Sequence, residues 1–153
     1  MRLLGVLFAW VAASVAAYLV GAAASSHIVM EGVRSVGRAA SLSDRLGMIV
    51  HDWGAMYLYL AVILIGFAIA FFVADLVKSL LPRLAGIAYP TAGAVAIVAA
   101  LKFMQIKYGV IPILGAQDSF GHWMQIGAGV VGGIVFELLR PKARDEHLDR
   151  RRA

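Results

Sequence analysis

The chain has 153 residues, of which 61% are hydrophobic and 15% charged. A soluble globular chain carries roughly 45–50% apolar and about 25% charged residues, so the composition argues against an ordinary water-solvated domain. The absence of cysteine excludes disulfides, thiolate metal sites and cysteine nucleophiles. The net charge of +5 arises mostly in the last fourteen residues, as a topology signal behind a final span rather than a nucleic-acid surface.

A helix needs about 20 apolar residues to cross the hydrocarbon core. Four stretches meet that need. The first covers about residues 3–24, LLGVLFAWVAASVAAYLVGAAA, and holds no charge. Its Met1-Arg2 start and GAAASS end also fit a cleavable signal peptide. The apolar run is longer than the roughly 7–15 residues of a signal h-region, which favours a retained span. Ala13, Ala17 and Gly21 recur every four residues and give this span a small-residue packing face.

A long outer loop, 25–53, follows. Val29, Val33, Val36 and Ala40 share one helical face, and Ser41 with Asp44 resembles a helix start. Leu42, Leu46, Ile49 and Val50 then give an apolar face. The loop therefore reads as one or two short helices on the membrane–water interface, or as a docking element for a partner.

The second span covers 54–77 and is preceded by His51-Asp52-Trp53. Trp53 is an interface anchor, and Asp52 is expected at a helix N-terminus, where the dipole favours an anion. The third span, 84–101, contains Pro90, which predicts a kink. The second outer loop, 102–122, holds the apolar VIPIL segment, too short to cross and suited to covering the bundle top. Asp118 or Ser119 is placed to cap the fourth span, 123–139, where Trp123 is the second anchor. Gly129 and Gly133 form a GxxxG there, available to intrachain packing or to a partner.

Asp75 and Lys78 are three residues apart, as are Glu137 and Arg140, so each pair is expected on one face of its own helix. Nine Lys and Arg flank one side of the spans and five the other. The excess puts both termini in the cytoplasm. The expected fold is all-α: a polytopic four-transmembrane-helix bundle, one domain over 1–144, with a partly helical interfacial outer loop and a charged cytoplasmic tail, 145–153.

His27, His51 and His122 all fall on the outer face, where they are candidates for haem, metal or quinone binding. No pair has metal-motif spacing, and neither a metal nor any other cofactor is predicted. No hydrolase elbow, P-loop, dinucleotide fingerprint or zincin motif is present. The expected role is therefore non-catalytic: an accessory, assembly or stabilising subunit of the bacterial inner membrane, whose partners are the lipid bilayer and other membrane subunits or itself. An oligomeric small-solute carrier or channel is the alternative, resting on the Pro90 kink.

Overall fold

The computed structural model describes residues 2–35, 41–55, 57–84, 86–109, 111 and 113–141. The segment 36–40, Val110, Pro112 and the charged tail at 145–153 lie outside the described residues. Five α-helices carry the fold: α1 (Arg2–Ser35), α2 (Leu42–Ala55), α3 (Tyr57–Leu80), α4 (Ala88–Tyr108) and α5 (Ser119–Leu139). Among the described residues there is no strand. The four long helices α1, α3, α4 and α5 are each long and apolar enough to span a membrane. The fold is thus an all-helical, multi-pass membrane bundle.

Around the bundle the neighbours run α1, α5, α4, α3, with α3 also touching α1. A Cβ on Gly5 would lie 2.6 Å from the Pro141 side chain. The start of α1 and the end of α5 therefore share one end of the bundle, called the lower end here. Ser25 of α1 meets Gly115, just before α5, at the other, upper end. Successive spans alternate in direction.

The helix bounds differ from the expected ones in informative ways. The first helix runs past 24 to Ser35 because its serines do not stop it. Ser14 Oγ donates to the Trp10 carbonyl at 2.9 Å and Ser26 Oγ to Ala22 at 3.0 Å. A hydroxyl bonded one turn back satisfies itself inside the helix. His27 therefore lies in α1 and not in a loop.

The His51-Asp52-Trp53 stretch belongs to the last turns of α2, and the spanning helix begins only at Tyr57. The N-terminal dipole account of Asp52 is corrected, since position 52 is at the wrong end of its helix. Pro90 is also corrected. It occupies the first turn of α4, where no backbone N–H is required, so it starts the helix instead of kinking it. Lys102 does not end α4; the helix continues to Tyr108 and stops at Gly109, with φ of 75° in the left-handed region.

Other boundary signals match their sequence cues. Ser41 and Asp44 cap α2 reciprocally: Asp44 N–H donates to Ser41 Oγ at 3.2 Å, and Ser41 N–H to the Asp44 carboxylate at 2.9 Å. The Ser41 hydroxyl, and then its backbone N–H, hold the Asp44 carboxyl below its usual range. Asp118 caps α5 by accepting from Gly121 N–H at 2.8 Å. The segment around Ile113–Ala116 folds onto α1 and α5 and buries Ile113 and Ala116.

Glycine sets the closest helix approaches. A Cβ on Gly129 would lie 2.5 Å from the Gly93 carbonyl oxygen of α4. One on Gly133 would lie 2.6 Å from Pro90 Cα, and one on Gly132 2.9 Å from Ala17 Cβ of α1. The α5 backbone thus touches the α4 backbone on one side, and on the other Gly132 takes the Phe67 ring of α3, 2.5 Å from its added Cβ, and the Ala17 methyl of α1. At Gly129 and Gly133 the neighbours are backbone atoms, which real Cβ atoms do not approach so closely and which cannot step aside. Gly127 has nothing within 4 Å of its added Cβ.

Two alanine substitutions one turn apart or less should therefore behave oppositely. Gly129→Ala is expected to lower unfolding stability in mild detergent by about 2 kcal/mol or more through overpacking. Gly127→Ala should be neutral or stabilising by up to about 1 kcal/mol, because only helix propensity changes. Equal effects of the two would contradict the close approach.

Candidate functional site

Two polar constellations interrupt an otherwise apolar interior. The lower one gathers Asp75 and Lys78 of α3, Tyr89 of α4, and Glu137 and Arg140 at the end of α5. The pairing crosses between helices. Lys78 Nζ lies 3.4 Å from Glu137 Oε1, and Arg140 pairs with Asp75. The expected pairs within each helix are corrected. α3 and α5 stand diagonally across the bundle, and their long charged side chains reach across its lower end, so each charge pairs with its opposite on the other helix.

Tyr89 sits at the centre with no exposure. Its hydroxyl donates to Asp75 Oδ1 at 2.5 Å. Lys78 Nζ stands 4.2 Å from its ring centroid and Arg140 5.3 Å. These are cation–π distances. Its other neighbours are Phe71 and Phe136, which stack at 4.2 Å, with Phe67 extending the row. Two cations and two anions close on one another around a buried phenol. Each pair is partly exposed, so each alone is worth about 0–1 kcal/mol. The geometry clamps three helices.

The upper constellation is neutral. Gln125 of α5 is fully buried. Its Nε2 donates to the Gly21 carbonyl of α1 at 2.8 Å, and its Oε1 accepts from Tyr59 of α3 at 2.9 Å. Gly21 leaves room for this amide, since a Cβ there would stand 2.5 Å from Gln125 Oε1 and shift it. The Tyr18 ring lies 6.4 Å from that of Tyr59, and its hydroxyl donates to the Trp53 carbonyl, tying α2 to the bundle. Trp10 Nε1 donates to the Leu64 carbonyl at 3.1 Å, joining α1 to α3. Among the described residues no buried side-chain polar atom lacks a hydrogen-bond partner.

The structure distributes the sequence candidates as follows. Ala13 and Ala17 are fully buried in the core. Gly21, Gly129 and Gly133 sit at the helix crossings already described. Trp53 and Trp123 are exposed at the upper end, and Trp123 is 70% exposed. His27, His51 and His122 stand on α1, α2 and α5 respectively. Among the described residues, no three His, Asp or Glu side chains gather where they could hold a metal ion. Sequence reasoning missed Gln125, Tyr59 and Tyr89. A signal for Gln125 was present: it lies seven residues before Gly132, two helical turns away on the same face.

No known family model, curated protein or solved structure matches this chain.

Gln125 and Tyr59 should be energetically coupled. Gln125→Leu and Tyr59→Phe are each expected to cost about 1–2 kcal/mol in detergent unfolding. The double variant should cost less than their sum, because each single change strands the other's partner. Strict additivity would contradict the hydrogen bond between them.

Proposed function

We propose that the protein is a non-catalytic accessory or assembly subunit of the bacterial inner membrane, with both termini in the cytoplasm. The observation that carries this reading is the closed interior. Gln125 uses both ends of its amide within the chain, and the four lower charges neutralise one another. The groups that a reaction or a translocation path would employ are engaged in holding helices together.

The surface supports the same reading. Leu42, Leu46 and Val50 of α2 repeat every four residues and are 75%, 57% and 64% exposed. That apolar stripe lies on a helix anchored to the bundle through the Tyr18–Trp53 hydrogen bond. It is suited to the outer membrane interface or to a membrane partner seated there. The orientation rests on the Lys and Arg excess, and Lys78, Arg83 and Arg140 do cluster at the lower end with the start of α1.

The carrier alternative rested on a broken helix at Pro90, and that residue begins α4 instead. The cofactor alternative rested on His27, His51 and His122, which stand on three separate helices. Neither gains a supporting observation.

The test is extraction of the native membrane in mild detergent, followed by sizing and mass spectrometry of what co-migrates. The accessory reading expects stoichiometric membrane partners that are lost on Leu46→Arg with the bundle still folded. Recovery of the chain alone, at stoichiometric purity, would overturn it.

A further inference from the structure

A wide cavity opens on the outside of the bundle. A furrow of about 890 Å³ runs between α3 and α4. Its volume is in the range of small-molecule ligand sites. Small residues form its floor, among them Gly66, Ala70, Ala92 and Ala96, and larger ones such as Ile69 and Phe103 form its rims. The furrow exists because these two helices face each other with short side chains. A Cβ on Gly66 would still be 3.8 Å from its nearest neighbour, Ala96 Cβ. From Val62 to Val77 it extends about 22 Å at 1.5 Å per residue, opening sideways toward lipid.

The lower mouth has a distinct electrostatic character. Leu84 and Ile87 line it, and both belong to the short connection from α3 to α4. Arg83 is the residue beside Leu84 and is exposed. Among the described residues it has no ion-pair partner, whereas Lys78 is bound to Glu137 and Arg140 to Asp75. Ile87 is also the N-cap of α4. It offers no side-chain cap, and the first turn of α4 contains no acid. A helix N-terminus carries roughly half a positive charge and attracts anions. A guanidinium without an ion-pair partner and, four residues on, an uncapped helix start thus both belong to the short connection at one end of an apolar furrow.

That combination is complementary to one kind of molecule. It needs an anionic head at the membrane surface and a flexible apolar tail running into the hydrocarbon. We infer that the lower half of the α3–α4 furrow binds an anionic phospholipid. The phosphate sits at Arg83 and the α4 N-terminus, and an acyl chain lies along Ile87, Thr91 and Ala92. A protein helix would match the apolar floor but would give the cationic mouth no role. This inference stands on the membrane fold and does not depend on the accessory-subunit reading.

The test uses the full chain purified in mild detergent, exchanged against phosphatidylglycerol or phosphatidylcholine, and read by native mass spectrometry with thermal melting alongside. The expected result is preferential retention of phosphatidylglycerol, with a higher melting temperature. Arg83→Ala should weaken that retention about five-fold, the contribution of one interfacial arginine. Arg83→Lys should restore most of it. Thr91→Trp, at an exposed furrow position, should block the chain and abolish retention while the apo protein melts as before. Equal retention of the two lipids, or retention untouched by Arg83→Ala or by Thr91→Trp, would overturn the site. Loss of a dimer in Thr91→Trp with no change in lipid would also overturn it, and would assign the furrow to a second copy.

Discussion

Hydrocarbon offers no hydrogen bonds, and that one constraint organises this molecule. Every polar group inside the spanning region must find its partner within the chain or pay several kcal/mol. The serines of α1 bond back to their own helix, Trp10 reaches a carbonyl of α3, and Gln125 links α1 to α3 through α5. The same oil removes the hydrophobic drive between helices, since lipid tails are as apolar as leucine. Association must then come from close packing and a few well-satisfied polar links. Both are concentrated on α5.

The position of α5 follows from its composition. Its glycines lie on two faces, so it presents backbone to α4 through Gly129 and Gly133, and through Gly132 to the Phe67 ring of α3 and the Ala17 methyl of α1. Gln125 extends the α1 face upward. Glu137 and Arg140 extend the contact downward to α3. A single helix thereby meets its neighbours by van der Waals contact at mid-depth, by a neutral hydrogen bond above and by paired charges below. The charges sit where water reaches them, and the buried link is neutral. That placement keeps the desolvation cost of each small. The outward faces of α3 and α4, free of this duty, carry the furrow and the large exposed side chains.

The four spans, the α2 cap at Ser41 and Asp44, and the α5 cap at Asp118 were legible because they are local. Hydropathy over a helix length and a side chain three residues from an N–H leave their marks in consecutive residues. The end of α1 was misplaced because Ser25-Ser26 resembles a boundary, and the hydroxyls' bonds to the helix or to Gly115 are visible only in three dimensions. Pro90 was misread for want of four residues of register: the same proline kinks a helix that begins at 84 and initiates one that begins at 88. The exchange of partners between Asp75–Lys78 and Glu137–Arg140 depends on which helices become neighbours, and no local pattern encodes it. For the same reason Tyr89 was invisible as the hub of the lower clamp. Its proximity to charges far away in the chain is a product of the fold.

The exposed surface is what ties the account together. Phe72 is 75% exposed, Leu138 73% and Ile106 84%, on helices whose interiors hold the paired polar groups. Such an exterior is stable only where water is absent. Sedimentation of membranes after an alkaline wash tests this most directly. The account predicts that the intact chain stays in the pellet and enters solution only with detergent. A folded, monomeric protein left in the detergent-free supernatant would contradict it.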